Sequence, residues 1–401
     1  MDFTILILGS DINAYYMARC YHELYKLKVD MVAKSFSGST KYTNIINQIL
    51  ISDNDNGTLL DFLNNYAQNS SFKKILLIAT SDKTVRQIVE IKDKLNQNFV
   101  FNYPTIDIVD NLLIKANFYR KFSSQLNLPK TIIYSCNSDD IPKIDFEYPI
   151  ILKPSNNIEY HNHEFSNMSK VYKLYNYNEL VEIINKIKSS GYKDELIIQE
   201  FIPGGDDCLF DAVFYCGSDK KVKLMTFAQI GLQERTNTGV GNCTVLVNGF
   251  SEYGYKEEII LEMKNFLEQI GYQGFAEFDL KYDSRDGSYK VFEINPRQAR
   301  SSYYLTACGH NLIQYLIDDL IYKKEINTTL IKDKMLLTFV PNYVIRKYIN
   351  SIPLRNEIEK LIKEGKYTRP LHYNGDKSLI RKLYLFLRDL NYINKYRKFT
   401  F

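Results

Sequence analysis

The sequence predicts an α/β protein with an N-terminal Rossmann-like layer, a second α/β region and a helical C-terminal end. Three observations carry this. Apolar strand-like runs alternate with helix-like stretches over residues 1–105. Two neighbouring apolar segments, around residues 277 and 293, each hold isolated acids. The last sixty residues are rich in Tyr, Leu and Lys at helical spacing. Boundaries are expected near residues 105 and 325, giving regions 1–105, 106–325 and 326–401.

From the start, residues 3–9 (FTILILG) read as a strand and 13–27 as a helix, then 74–80 (KILLIAT) as a strand and 82–94 as a helix. That alternation argues for a parallel sheet covered by helices. The turn Gly9-Ser10-Asp11 lies where such a sheet opens its ligand crevice. It lacks the GxGxxG spacing of a dinucleotide site, and Ser10 or Asp11 reads equally as a helix cap. Residues 107–126 read as one helix ended by Asn127-Leu128-Pro129. A buried strand follows at 148–155, its single charge, Lys153, aimed at an anion in a cleft or placed at an edge. Residues 196–207 run from a strand into a Gly-rich turn with acids, and 210–215 and 222–228 are two further strands. Helical spacing of Ile259, Ile260, Met263, Phe266, Leu267 and Ile270 predicts a helix over 251–271.

Composition sets the limits. The chain has 401 residues, 45% apolar and 24% charged, enough for two or three domains with ordinary cores. No run of 18 apolar residues marks a membrane span. Residues 4–8 are too short for a signal-peptide core and read as a buried strand. Six scattered cysteines without a CxxC pair fit a reducing cytoplasm, with neither a disulfide frame nor a zinc site. His161 and His163 form an HxH beside Asn162 and Glu164, read as a solvated loop. Net charge is only +4, yet residues 341–401 hold 14 Lys and Arg against 5 Asp and Glu, leaving 37 against 42 elsewhere. Such asymmetry marks either a surface for an anionic partner or a solvated basic cap. The basic residues are interleaved with leucines at helical spacing rather than set in a groove, so a nucleic-acid partner is not expected.

The segment Phe275-Ala-Glu-Phe-Asp279-Leu and the segment Tyr289-Lys-Val-Phe-Glu293-Ile-Asn295-Pro-Arg297-Gln-Ala-Arg300 carry the most chemistry. Strand alternation puts Glu293 and Asn295 on one face, with Asp279 at the end of the preceding strand. Two carboxylates and an amide oxygen are hard donors that suit Mg²⁺ holding nucleotide phosphates. The same residues also fit a hairpin with a wet polar face.

The order of these features resembles the ATP-grasp superfamily over residues 1–320, most specifically at Phe292-Glu293-Ile294-Asn295-Pro296-Arg297. The resemblance implies an ATP-grasp fold with an N-terminal pre-ATP-grasp domain, and ATP and Mg²⁺ as cofactors. It implies that Lys115 and Lys153 contact phosphates, that Gln199, Glu200, Phe201 and Ile202 form the adenine hinge, and that Asp206 or Asp207 holds the ribose. It further implies Asp279, Glu293 and Asn295 as metal ligands and Arg297 at the reacting groups, with Arg235 another cation for the developing charge. The chemistry is amide formation through an acyl phosphate, in which the protein positions reactants and neutralises charge. One departure is the lid: residues 155–170 contain no glycine, though they keep a lid's length and polarity.

The extended string from Glu293 through Arg300, Ser301 and Ser302 looks like the D-aspartate ligase branch. That implies D-aspartate as the activated acid and a lipid- or UDP-linked wall precursor as the amine acceptor, with Arg300 holding a substrate carboxylate. Guanidinium forms paired bonds to carboxylates, although Arg300 also reads as an interdomain salt bridge. The basic C-terminal region would then suit peripheral membrane contact. Two other functions remain open at this level: a ligase for another amino acid, peptide or small-molecule pair, and a nucleotide-binding protein without catalysis.

Overall fold

The structure is a computed structural model describing residues 2–53, 55–236, 239 and 241–398. Its first sheet is wholly parallel, with β1 (Phe3–Leu8), β2 (Val29–Ala33), β3 (Ile46–Leu50), β4 (Lys74–Ala79) and β5 (Phe99–Val100) in the order β3-β2-β1-β4-β5. Helices α1 (Ile12–Tyr25), α2 (Asn56–Asn69) and α3 (Asp82–Ile91) connect them. The chain leaves β1 toward one edge of the sheet and returns at β4 toward the other. The loops after β1 and β4 therefore flank the crevice expected at such a switch point. Gly9 sits there at φ +135°, and a Cβ would lie 2.1 Å from Thr80 Oγ1, so the close approach of the two loops requires glycine. Asp11 accepts from Ala14 N at 3.0 Å, the capping role foreseen for that turn.

The helix expected over 107–126 is two helices, α4 (Ile106–Leu113) and α5 (Lys115–Phe122). Ile114 between them is extended (φ −86°, ψ 106°), and Lys115 N then donates to Ser155 O at 3.0 Å. A bond made to a residue 40 positions further along the chain has replaced an intrahelical one, and it puts Lys115 at a helix start. The second sheet holds β6 (Thr131–Ser135), β7 (Ile150–Pro154), β8 (Tyr172–Leu174) and β9 (Glu195–Glu200), antiparallel in the order β6-β9-β7-β8. Between β7 and β8 lies the short α6 (Asn157–Tyr160), and α7 (Tyr177–Ser189) covers one face with Leu180, Ile184 and Ile187.

The largest sheet contains β10 (Leu209–Cys216), β11 (Val222–Met225), β12 (Ala228–Gln233), β13 (Cys243–Asn248), β14 (Gly274–Asp283), β15 (Ser288–Asn295), β16 (Thr329–Leu330), β17 (Met335–Thr338) and β18 (Tyr367–Thr368). The strand expected over 222–228 is divided, because β11 and β12 pair with opposite ends of β10. Helix α8 (Glu257–Gln269) starts later than residue 251, after a turn with Gly254 at φ +87°. Its buried Ile260, Met263, Phe266 and Leu267 pack with Phe214 and Phe278 of the sheet. Short helices α9 (Tyr303–Ala307) and α10 (Leu312–Leu316) lead toward β16. The C-terminal region is not helical throughout: β16, β17 and β18 extend the large sheet before and between α11 (Asn342–Tyr348), α12 (Ile352–Lys363) and α13 (Leu379–Lys398). Arg381 at the start of α13 is buried, 3.2 Å from Asp376 and 3.6 Å from the Tyr15 ring centre, which ties α13 to α1.

Candidate active site

The acids lie on the β14–β15 hairpin. Asp279 faces Glu293 and Glu277 faces Asn295 in register, and a bulge between Asp279 and Leu280 skips Phe292. Directly opposed residues share a face, so Glu277, Asp279, Glu293 and Asn295 project together. Asp279 is inside β14 rather than at its end. Asn295 Nδ2 donates to Glu277 Oε2 at 3.0 Å and Asp279 Oδ2 at 3.3 Å. On the next strand Asp211 faces Asp279. It accepts a short hydrogen bond from Ser301 Oγ, and its Oδ1 is buried without a partner.

Four carboxyl groups so close together repel. Burial, then Glu277 and Glu293, hold the Asp279 carboxyl well above the usual range. Burial and then Asp211 do the same to Glu277. Asp211 is pushed up to about 6, chiefly by burial. Glu293 goes the other way, down to about 2, because Lys115 Nζ is 2.7 Å from its Oε2.

Three cations close the arrangement. Lys115 comes from the start of α5. Lys153, from β7, is 7% exposed, donates to Tyr119 Oη at 3.2 Å and lies over the rings of Tyr119 and Phe292. Burial, reinforced by Lys115, lowers its ammonium to about 7. Arg297 Nε is 2.7 Å from Asp82 at the start of α3, and its Nη1 is 3.6 Å from Glu277. Those acids keep its guanidinium more basic than usual despite burial.

Arg297 also joins the acid hairpin to the crevice of the first sheet. Gln298 Nε2 donates to Ala79 O at 3.3 Å, Tyr16 Oη to Ala299 O at 2.7 Å, and Asn13 Nδ2 to Thr80 O at 3.1 Å. Asp11 is solvent-exposed at the mouth of the crevice and lies under the electrostatic influence of both Arg297 and Arg300, so this acid borders the same cleft.

The other expected residues have their own partners. Gln199 Nε2 donates to Thr131 Oγ1 at 2.9 Å. Glu200 accepts from Lys130 N at 2.7 Å and pairs with Arg285 at 2.8 Å. The Phe201 ring lies under Lys173 and Lys281, at 4.0 and 5.3 Å, and Ile202 is buried beside it in sequence. Asp206 accepts from Gln233 N and Nε2 and pairs with Arg235 at 3.3 Å. Arg300 is 3.3 Å from Glu234, a salt bridge within residues 106–325 rather than between the expected regions, and 3.4 Å from Tyr392 Oη of α13. Glu234 in turn binds Tyr392 at 2.6 Å and Lys395 at 3.0 Å, both from α13.

Lys115, Lys153, Asp279, Glu293, Asn295 and Arg297 thus come together, whereas Asp206 with Arg235, and Arg300 with Glu234, form separate ion pairs. Four participants were not anticipated. Glu277 was legible from the period-two pattern in Phe-Ala-Glu277-Phe-Asp279. Tyr119, Asp82 and Asp211 carry no local signal, since long-range packing alone brings them here. His161 and His163 bind separately, to Asn157 O and to Glu159 with Ser190 O.

Among the described residues no group of three or more His, Cys, Asp or Glu is arranged to hold a metal ion by itself, although these acids lie close together. Asp279, Glu293 and Asn295 instead offer two carboxylates and an amide, the partial donor set of Mg²⁺ that completes its shell with water and phosphate. The crowded, elevated Asp279 carboxyl and the unpartnered Asp211 oxygen fit a face that accepts one more cation.

No sequence-family profile matches the chain. It is 33% identical over 413 residues to the D-aspartate ligase of Enterococcus faecium (strain Aus0004), covering 99% of this chain and 97% of the relative. Among solved structures, N5-carboxyaminoimidazole synthetase from Staphylococcus aureus with ADP aligns at a TM-score of 0.61 and 16% identity, over 84% of this chain and 82% of that one. The L-amino acid ligase from Bacillus licheniformis aligns at 0.56 and 16% identity, over 79% and 73%. These two likenesses show the fold, which is ATP-grasp. With a relative matched at one-third identity from end to end, the chain belongs to the D-aspartate ligase family and is an ATP-dependent carboxylate–amine ligase.

Proposed function

We propose that this ligase activates the β-carboxylate of D-aspartate and joins it to the side-chain amine of a cell-wall peptide precursor. The observation that carries this reading is the end-to-end likeness to a D-aspartate ligase. The carboxylate oxygen takes the γ-phosphoryl group of ATP, releasing ADP and leaving an acyl phosphate. The amine nitrogen then attacks the carbonyl carbon, sheds a proton, and inorganic phosphate leaves.

Lys153 and Lys115 approach the acid hairpin from β7 and α5 and supply positive charge for the phosphates. Residues 199–202 edge the nucleotide, and the Asp206–Arg235 pair opens to the ribose and the phosphates. Asp279, Glu293 and Asn295 would hold Mg²⁺, which supplies charge neutralisation at the phosphates when bound. Arg297 lies between this face and the first-sheet crevice, where it orients the acid to be activated. Arg300 is the second cation for an amino dicarboxylate, exchanging Glu234 for a substrate carboxylate. A buried carboxylate left without a cation would cost several kcal/mol, so an acidic substrate needs both arginines. ATP supply and six unpaired cysteines fit a cytoplasmic reaction.

The test is ADP formation with D-aspartate against L-aspartate, D-alanine and glycine, each with a lysine-containing wall precursor. Turnover confined to D-aspartate is expected. Equal turnover with neutral amino acids would remove the D-aspartate assignment.

A further inference from the structure

Helix α13 has two unlike faces. One is built into the protein: Leu385, Tyr392 and Tyr396 are buried, and Tyr396 Oη lies 2.7 Å from Thr244 Oγ1. The other carries Leu379, Ile380, Leu383, Phe386, Leu387 and Leu390, each between 45% and 76% exposed. At about 100° of turn per residue these six fall within an arc of about 120°. They form one continuous stripe rather than scattered exposures. Among the described residues, no other helix exposes more than one large apolar side chain.

The charge around the stripe has one sign. Helix α13 contains six Lys and Arg and a single acid, Asp389, which Arg369 engages at 2.7 Å. Lys382 borders the stripe, and Arg397 and Lys398 continue it beyond Leu390; all three are exposed. A second copy of this face would bring like charges together with no acid on the stripe to offset them. An anionic surface with an apolar interior complements both features. Among the described residues no helix is long and apolar enough to cross a membrane, so the fitting mode is in-plane.

We propose that α13 docks the protein on an anionic lipid bilayer, its apolar stripe at the headgroup–acyl boundary and Lys382, Arg397 and Lys398 against lipid phosphates. The docking depends on α13 alone and holds whichever amino acid the site takes.

The experiment is co-sedimentation of the full chain with phosphatidylglycerol-containing vesicles and with pure phosphatidylcholine vesicles, at low and high salt. Binding to the first, weaker on the second and weakened by salt, is expected. Combining Leu383→Glu, Phe386→Glu and Leu387→Glu should abolish it while circular dichroism and the melting midpoint stay near those of the parent. As a second variant, Lys382→Gln with Arg397→Gln and Lys398→Gln keeps the stripe; binding should weaken about fivefold per cation removed. Failure to bind phosphatidylglycerol vesicles, or binding unchanged in either variant, would overturn the proposal. So would a parent dimer that the stripe variant converts to monomer without any vesicle binding, since the stripe would then belong to a second copy.

Discussion

Replacing Lys153 by Met should make the nucleotide-free protein more stable and ATP binding weaker. Lys153 is buried under Tyr119 and Phe292, and its ammonium falls to about 7 from an ordinary lysine value near 10.4. At about 1.4 kcal/mol per pH unit, holding the charged form there costs on the order of 3–5 kcal/mol in the absence of an anion. Methionine keeps the apolar stem and removes the charge. The sign of the pH dependence follows from proton counting. Between about pH 7 and pH 10 the unfolded lysine holds a proton that the folded one has lost, so parent stability rises with pH in that window. Below about pH 7 both forms are charged and the full penalty is present. Lys153→Met should therefore raise the melting midpoint by several degrees near pH 6.5, with the gain shrinking toward pH 9 and above. In the same variant the KM for ATP should rise by about tenfold or more, because a charge-assisted phosphate contact is lost, while the KM for the amino acid changes less. A variant that melts lower than the parent, or whose gain is equal at both pH values, would refute the reasoning.

Glu293→Gln should reduce turnover by about a hundredfold or more, as expected when a group that organises transition-state charge is removed; single-turnover ADP formation measures it, and near-parent rates would exclude the metal-face assignment. Arg300→Ala should raise the KM for the amino acid by about tenfold, the worth of one charged hydrogen-bonded contact, with the KM for ATP almost unchanged; a matching rise in both would make Arg300 a structural residue only. Asp376→Asn leaves the buried Arg381 without its counter-charge, so denaturant unfolding should show a loss of about 3–5 kcal/mol, and a loss below about 1 kcal/mol would mean that water or another acid compensates.

Local pattern was a good guide wherever one residue's neighbours in sequence are also its neighbours in space. The strands at 3–9 and 74–80 and the helices after them are dictated by apolar period and by caps such as Ser81, which accepts from Thr84 N. Glu293 and Asn295 share a face because strands alternate, a property that needs no tertiary information. Pattern failed where a distant partner competes for the backbone. Ile114 breaks an otherwise helical run because Lys115 N bonds to Ser155, and residues 222–228 split because both halves pair with β10.

The sequence by itself determined the α/β class, the acid hairpin, the lysine on β7, the Arg297 that follows the hairpin and the basic character of the C-terminal end. Only the tertiary structure decided which charges meet. Arg300 and Arg297 are three residues apart, yet one faces Glu234 and the α13 hydroxyl of Tyr392, and the other Asp82 and Glu277. Tyr119 and Asp211 entered the site through packing of α5 and β10 against the hairpin. The same holds for α13, whose helical spacing of Tyr, Leu and Lys leaves open which face is covered; in three dimensions Leu385, Tyr392 and Tyr396 are buried while Leu379, Leu383, Leu387 and Leu390 are exposed. Electrostatic energy falls with distance and burial, and neither quantity is written in the spacing of residues along a chain.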